Sequence, residues 1–422
     1  MRRVLMIAFH FPPLAGSSGI QRTLRFVQHL PTLGWQPAVL SAHPRVFERT
    51  SPDLDAEVPA SVLVRRAFAL DTARDLAVRG RYPGLLARPD RWMSWRFDGI
   101  RQGLRMIREF RPEAIWSTYP IATAHVIGAE LQRRSGLPWI ADFRDPMAQA
   151  GYPADAKTWQ SFRAIEERAS RQACRLCFTT ASAASTYRQR YPAAAERMVV
   201  LENGFDEDSF AAAERALGEA TPLNAGRITL LHSGTVYPSE RDPTQLFAAL
   251  AQLRHVSPEM AAQLLVRFRA SAHDALLHGL ADRHGVQDLI EVLPPTGYSE
   301  ALAEMMRADA LLVLQASNCN EQVPAKVYEY LRAGRPILCL SDPLGDTHEV
   351  LRRAGITRQA RLDDLSSIAD LLHGFVVSGS RDLLGSAEQV AAASRRARTS
   401  QLADLLSQCA APGLRAADRH TP

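Results

Sequence analysis

The chain has 422 residues, of which 46% are hydrophobic and 23% are charged, and its formal net charge is +5. That length favours two large globular domains over one. Nearly all the positive charge is arginine, which suits planar recognition of phosphate or carboxylate groups, and Lys157 and Lys326 are the only lysines. Because the arginines are scattered and do not alternate with aromatic residues, the composition argues against a nucleic-acid-binding protein and favours an anionic membrane surface or a phosphorylated ligand.

The amino-terminal stretch MRRVLMIAFHF is too briefly apolar for a signal peptide, and no apolar run approaches the length of a membrane-spanning helix. We therefore expect a cytoplasmic protein, either free or peripheral on the inner face of the membrane. Five cysteines, an odd number in a long chain, argue against a disulfide framework. Cys174 and Cys177 form a lone CxxC, which indicates either buried thiols in a strand or a zinc site. We favour the thiols and predict no metal.

The first predicted unit is a strand, a loop, a helix and a second strand. Residues 4–8 are an apolar run typical of a strand buried on both faces. The following loop contains Gly16 and Gly19, which permit close approach of backbone to a ligand. Residues 20–30 then place apolar side chains at helical spacing, and residues 37–41 form the next strand. This pattern differs from the GxGxxG dinucleotide fingerprint, and GxxG alone is a weak signal.

Residues 51–95 are less regular, with basic and aromatic pieces such as RYPGLL and RWMSWRF. Such a surface indicates either contact with a membrane or a packed connecting helix with solvated arginines, and we favour the packed helix. Regular structure resumes with strands over residues 114–117 and 138–141, which flank a helix over residues 122–134.

The second of these strands leads into the sequence DFRDP. Asp142, Arg144 and Asp145 would then lie just past the carboxyl end of a strand, where open parallel sheets place their ligands. The alternative is an Arg–Asp pair that braces the loop. A helix over residues 159–175 and a strand over residues 175–180 follow.

The second half of the chain repeats the design. Its predicted strands are residues 228–232, 264–268, 290–293, 310–314 and 337–340. Two sets of such units predict an α/β protein with two doubly wound domains facing each other across a cleft. We place the first domain at residues 1–204 and the second at 205–385. One polar-faced helix from about residue 386 packs back on the first domain in this prediction, and residues 411–422 form a frayed tail.

One stretch, NCNEQVPAKVYEYLRAGRPILCLSDP, combines a loop carboxylate, a helix start and a buried strand. Pro324 suits the first turn of the helix and Gly334 its end. Lys326 stands in the first turn, where the helix dipole disfavours a cation unless an anion lies in front of it. The stretch therefore indicates either a phosphate site at the helix start or a surface ion pair between Lys326 and Glu329.

With both halves in view, four motifs resemble those of the nucleotide-sugar-dependent glycosyltransferases of the GT-B fold, particularly glycosyltransferase family 4. FPPLAGSSGIQR is similar to the amino-terminal glycine loop of that family, and ENGFDEDSF is similar to its Asn-Gly-x-Asp segment. HSGTVYPSERDP is similar to its strand and glycine loop with basic phosphate ligands. Glu321 and Glu329 have the separation of its E-x7-E motif. The four motifs occur in the family's order over nearly the whole chain.

The resemblance implies the GT-B architecture of two Rossmann-like domains and a donor site. It implies that Glu329 binds the ribose hydroxyls, that Glu321 lies beside the donor sugar, and that Arg241 and Lys326 hold the diphosphate. It also implies that glycines of both domains approach the donor: Gly16, Gly19 and Gly234. Pro294 to Tyr298 form either a lining of the base pocket or a structural turn.

On the acceptor side the chain departs from the family. Many members carry a histidine directly after the strand that corresponds to residues 114–117, where this chain has Ser117, Thr118 and Tyr119. His125 comes later and is expected on a helix face. DFRDP resembles a subgroup associated with polysaccharide and cell-envelope assembly, which implies that Asp142 and Arg144 handle the acceptor, beside Glu321 in the catalytic set.

The resemblance thus implies a hexosyltransferase-type enzyme that moves a sugar from a nucleotide donor to a glycan or lipid-linked acceptor in cell-envelope or exopolysaccharide synthesis. It implies retention of anomeric configuration, with neither metal nor cofactor. The alternative is a non-catalytic nucleotide-sugar-binding or assembly protein on the same fold.

Overall fold

The computed structural model describes residues 1–16, 19–218 and 221–411. The chain divides into two compact units. Unit 1 comprises Met1–Asn203 together with the segment that begins at Arg395, and unit 2 comprises Gly204–Ser394. Of the predicted frayed tail, residues 412–422 lie outside the described part of the chain.

Unit 1 is built on a parallel sheet of seven strands in the order β3-β2-β1-β4-β5-β6-β7. The strands are β1 Arg2–Ile7, β2 Trp35–Ala42, β3 Leu63–Ala67, β4 Ala114–Thr118, β5 Trp139–Arg144, β6 Arg175–Phe178 and β7 Met198–Val200. The side chains of successive β1 residues pack into hydrophobic clusters on opposite faces of the sheet. Leu5 and Ile7 pack into one cluster, and Val4 and Met6 into another on the opposite face. The apolar run of β1 is continuous because helices cover both faces of the sheet.

The helices of unit 1 are α1 Gly19–His29, α2 Pro52–Ala56, α3 Thr72–Asp75, α4 Trp95–Phe110, α5 Thr123–Ser135, α6 Ala156–Gln172, α7 Ala181–Arg190 and α17 Arg395–Cys409. The apolar spacing that predicted α1 corresponds to its buried residues, among them Ile20, Leu24 and Val27. Residues 51–95, for which a packed connecting helix was favoured, contain instead the short helices α2 and α3 and one edge strand, β3.

Unit 2 is built on a parallel sheet of five strands in the order β10-β9-β8-β11-β12. The strands are β8 Ile228–Ser233, β9 Leu264–Arg269, β10 Ile290–Leu293, β11 Ala310–Gln315 and β12 Ile337–Ser341. The strand order reverses beside β8, at its boundary with β11. In open sheets this reversal point opens a crevice at the carboxyl ends of the strands, where ligands bind.

The helices of unit 2 are α8 Glu207–Leu217, α9 Thr244–Val256, α10 Pro258–Gln263, α11 Asp274–His284, α12 Tyr298–Arg307, α13 Lys326–Ala333, α14 Asp346–Arg353, α15 Leu365–Ser378 and α16 Ala387–Ala392. They enclose two apolar clusters, to which β11 contributes from both faces: Leu312 and Leu314 pack into one, and Leu311 and Val313 into the other. Both units thus have the doubly wound α/β architecture that the sequence predicted.

Two predictions about the end of the chain were wrong. The single helix predicted from residue 386 is two helices, α16 and α17, separated at Ala393 and Ser394, and α16 belongs to unit 2 whereas α17 belongs to unit 1. The prediction of no disulfide was also wrong, because Cys174 is bonded to Cys409 at the end of α17. Of the five cysteines, two form this disulfide, and the other three are buried free thiols: Cys177, Cys319 and Cys339.

No helix in the described ranges combines the length and apolar character needed to span a bilayer.

Candidate functional site

Lys326 of unit 2 lies against a histidine at the end of a neighbouring strand. It is the first residue of α13, which ends at Gly334 in the left-handed conformation. Its Nζ lies 3.1 Å from Nε2 of His232 in β8. The other ring nitrogen, Nδ1, lies 3.0 Å from the carbonyl oxygen of Leu312 and must donate to it, because a carbonyl only accepts. Nε2 therefore directs a lone pair at the Lys326 ammonium.

The charge of Lys326 is poorly compensated in this setting. Burial and, next, the charge of Arg241 lower the pKa of Lys326 well below its usual value, and Glu329 only partly opposes them. Burial and the Lys326 charge likewise hold the pKa of His232 well below its usual value, which keeps the ring neutral. A bound anion in front of Lys326 would supply the missing negative charge.

Arg241 is oriented by the loop that follows β8. Its Nη1 donates to the carbonyl oxygen of Thr235 at 2.7 Å, and its guanidinium lies 5.1 Å from the ring centroid of Tyr237. Gly234 begins this loop with φ of 103°, and an added Cβ would lie 3.2 Å from Nζ of Lys326. A glycine is needed here both for the backbone and for the space beside the ammonium.

Glu329 lies one turn further along α13. Its Oε1 accepts a hydrogen bond of 2.9 Å from the hydroxyl of Tyr298, the first residue of α12. The segment Pro294 to Tyr298, for which the sequence left open a base pocket or a turn, thus contacts the carboxylate expected to bind ribose. Sequence reasoning missed this pairing, because the two residues come from different β-α units.

Glu321, the other carboxylate of the E-x7-E pair, lies half-buried in the loop before α13. Hydrogen bonds hold the residue on either side of Glu321. Asn320 donates to Asp342 at 2.9 Å, and the carbonyl of Gln322 accepts from Thr347 at 3.0 Å. The loop therefore holds Glu321 at the carboxyl end of β11 in a defined backbone position.

Asp142 of unit 1 was predicted just past a strand, and this placement was wrong. It lies inside β5, fully buried, with both carboxylate oxygens engaged by Arg22 of α1 at 2.8 and 2.9 Å. Thr118 donates a third bond of 2.8 Å. Although burial opposes the charge of Arg22, Asp142 holds the pKa of Arg22 above its ordinary value. The observed Arg–Asp pair therefore joins α1 to β5, and it is not the loop-bracing pair that the sequence offered as the alternative.

Arg144, two residues further, ends β5 in a strained conformation with φ of 63°. Its Nη1 donates to the carbonyl of Tyr119 at 3.3 Å, while its buried Nε has no hydrogen-bond partner among the described residues. Burial lowers the pKa of Arg144; the charge of Asp145 opposes this shift, and the neighbouring Arg22 adds to it. An anionic group bound beside Arg144 would compensate its buried charge.

A cavity of about 240 Å³ lies at the carboxyl end of β1. It is lined by Gly16 and by aromatic and charged side chains, among them His10, Arg49 and Trp92. Burial, and after it the charge of Arg144, lowers the pKa of His10 to about 4, so the ring is neutral at neutral pH. Gly19, the other glycine of the loop, is the first residue of α1 and is buried.

His125 does not replace the absent family histidine. It lies on α5, as expected, and is fully buried there. Trp139 donates to the hydroxyl oxygen of Ser117 at 2.8 Å, and the same hydroxyl forms a hydrogen bond of 2.8 Å with Nδ1 of His125. Burial lowers the pKa of His125 to about 4. The residue is a neutral part of the core.

The structure thus separates the predicted site residues into two groups. Gly16, Gly19, Asp142 and Arg144 belong to unit 1, and Gly234, Arg241, Glu321, Lys326 and Glu329 belong to unit 2. Within unit 2 the cations Arg241 and Lys326 gather at the reversal point of the sheet, with Glu329 one turn away. This arrangement is suited to a ligand that carries a phosphate and hydroxyl groups.

Comparisons with known proteins agree with this geometry. Residues 18–204 match the family described as glycosyl transferase 4-like domain. A D-inositol 3-phosphate glycosyltransferase of Streptomyces scabiei is 30% identical over 192 residues, which are 42% of this chain and 40% of that relative. The match therefore spans less than half of the curated relative.

Solved structures extend the likeness to both units. HepE of Anabaena, solved in complex with UDP, has a TM-score of 0.66 at 15% identity, and the match covers 97% of this chain and 100% of HepE. A trehalose 6-phosphate synthase of Burkholderia multivorans gives 0.66 at 13% identity and covers 97% and 99%. The chain has the GT-B fold, and its resemblance to glycosyltransferase family 4 is confirmed.

Proposed function

We propose that this protein is a glycosyltransferase that moves a sugar from a nucleotide-sugar donor to a glycan or lipid-linked acceptor. The observation that carries the proposal is the approach of Lys326 to the neutral ring of His232, beside Arg241. The charge of Arg241 adds to burial in lowering the pKa of Lys326, and a bound anion would offset both effects. A nucleoside diphosphate is the anion that a sugar donor brings.

The same residues suit the chemistry of the transfer. When the bond between sugar and diphosphate breaks, negative charge builds on the leaving phosphate. Lys326, Arg241 and the first backbone amides of α13 are placed in advance to stabilise that charge. We propose that the reaction needs no metal for this reason, and that it proceeds with retention, as in the family.

Glu329 is the proposed ligand of the ribose hydroxyls, with Tyr298 as the residue that orients it. Glu321 is proposed to contact the donor sugar. Uridine nucleotides are the first donors to test, because HepE was solved with UDP and with UDP-glucose. In unit 1 we place the acceptor at the cavity lined by His10 and Gly16, within the electrostatic reach of Arg144.

Cell-envelope or exopolysaccharide synthesis is the proposed role, supported by the likeness of DFRDP to an envelope-assembly subgroup. The alternative is a protein that binds a nucleotide sugar without turning it over. To separate the two, the purified protein is incubated with a panel of nucleotide sugars, alone and with membrane extract, and release of nucleoside diphosphate is measured. Thermal stabilisation by UDP without release in either condition would favour the alternative. Stabilisation by no nucleotide would contradict both.

A further inference from the structure

One segment of unit 1 exposes an unusual number of large apolar side chains. It runs from residue 68 to residue 98, and Val78, Leu85 and Phe97 are 75%, 72% and 64% exposed. Four further large side chains of the segment are also exposed: Phe68, Leu76, Tyr82 and Leu86. Single exposed apolar residues are common on soluble proteins, but a group of seven within 31 consecutive residues marks an interaction surface.

The segment is one folded lobe, because hydrogen bonds join its two arms. The amide of Phe68 donates to Asp98 at 2.7 Å, and the amide of Leu70 donates to Ser94 at 2.8 Å. Nearer the tip, the hydroxyl of Thr72 donates to the carbonyl of Leu86 at 2.6 Å. The exposed apolar residues therefore all belong to one closed segment, which we call the 68–98 lobe.

The charge that the lobe presents is positive. It contains six arginines and four aspartates, and the aspartates are engaged within the protein. Asp71, for example, is buried and caps α3, and Asp90 accepts two bonds from Thr123. Arg79 and Arg81, by contrast, are exposed and form no ion pair within the described part of the chain.

The lobe also borders the cavity beside Gly16. Trp92 belongs to the lobe and lines that cavity. Arg91 of the lobe is paired with Glu48, another residue of the cavity wall. A molecule anchored at the lobe would therefore lie next to the proposed acceptor cavity.

We propose that the 68–98 lobe seats unit 1 on an anionic phospholipid bilayer. Val78, Leu85 and Phe97 enter the interfacial region, and Arg79 and Arg81 pair with lipid phosphates. Aromatic, aliphatic and arginine side chains together are the set that such interfaces select. The position of the cavity further implies that the acceptor is carried by a lipid, and this second step rests on the proposed function.

The test uses the full chain and sedimentation with vesicles of phosphatidylcholine alone or mixed with phosphatidylglycerol. We expect binding to the mixed vesicles, weaker binding to phosphatidylcholine, and release at high salt. The triple variant Val78→Ser, Leu85→Ser, Phe97→Ser should lower vesicle affinity at least tenfold. Arg79→Gln with Arg81→Gln should remove most of the preference for the anionic lipid. These side chains are exposed, so the thermal transition should not change.

The matched control is Val256→Ser with Leu344→Ser, which removes two exposed apolar side chains of unit 2. Equal vesicle binding by the triple variant and this control would overturn the proposal, as would no binding by the unaltered protein. A triple variant that changes the oligomeric state instead would assign the lobe to a protein interface and equally overturn it. Vesicle binding should persist in Lys326→Ala, so failure of the donor assignment is measured separately, by nucleotide binding.

Discussion

The ammonium of Lys326 and the neutral imidazole of His232 lie 3.1 Å apart, and the histidine is fixed in this tautomer by its bond to the Leu312 carbonyl. The pKa of this lysine is far below that of an exposed lysine, and its ammonium lies directly beside the place proposed for a diphosphate. Binding of the anion and protonation of Lys326 are therefore coupled.

This coupling predicts the pH dependence of nucleotide binding. A diphosphate favours the charged form of Lys326, so UDP affinity should fall as pH rises through the lowered pKa of the free protein. Below that pKa the ammonium is already present and the affinity should level off. Calorimetry in buffers of different ionisation enthalpy should show net proton uptake on binding above it. Lys326→Met should bind more weakly and show no uptake, whereas uptake unchanged in this variant would contradict the assignment.

Glu329→Ala should weaken binding of UDP by about 10- to 100-fold, the loss expected for charge-assisted hydrogen bonds of roughly 1.5–3 kcal/mol. Isothermal calorimetry measures the effect. Tyr298→Phe, which removes the hydroxyl that orients Glu329, should also weaken UDP binding, but by a smaller factor. An unchanged UDP affinity in Glu329→Ala would remove this carboxylate from the donor site.

Glu321→Ala should reduce turnover far more than nucleotide affinity, because this carboxylate is placed beside the sugar and not beside the nucleotide. Release of UDP from the donor gives the rate, and thermal shift with UDP gives the binding. Glu321→Gln keeps the size of the side chain and separates charge from shape. Equal losses in the two measurements would show that Glu321 only supports the loop.

Asp142→Asn should lower the free energy of unfolding by about 3 kcal/mol, because it leaves Arg22 buried without a counter-ion. Chemical denaturation measures the loss. Glu109→Gln, which weakens the solvent-accessible pairs of Glu109 with Arg105 and Arg65, is the control and should cost less than about 1 kcal/mol. If Asp142→Asn unfolds like the unaltered protein but loses turnover, Asp142 has the catalytic role that DFRDP suggested.

Cys174→Ser should destabilise the oxidised protein by about 2–4 kcal/mol, the usual effect of removing a disulfide. Cys409→Ser should have the same effect, and the double variant no further one, since each variant already breaks the same bond. In the presence of dithiothreitol all three should unfold like the reduced unaltered protein. A difference that persists under reduction would be due to packing of the side chains and not to the bond.

Much of the fold was predictable, because strands buried on both faces are apolar throughout and α1 repeats apolar residues at helical spacing. The edge strand β3 was not predictable, because the strand lies at the border of the sheet and its sequence LVRRA contains two arginines. In the site, Lys326 was conspicuous as a cation in a first helical turn. Its partner His232 was not, because their contact joins residues 94 positions apart. The Arg22–Asp142 pair was hidden for the same reason.

The return of the chain to unit 1 at Arg395 has a consequence for synthesis on the ribosome. Unit 2 is continuous from Gly204 to Ser394, so all of it has been made before α17 is. Residues 1–203 of unit 1 precede unit 2, but unit 1 lacks the buried Leu402 and Leu406 of α17 until all of unit 2 has been made. Unit 1 is therefore completed only after unit 2, and a stop codon at the start of α17 would leave a finished second unit attached to an incomplete first one.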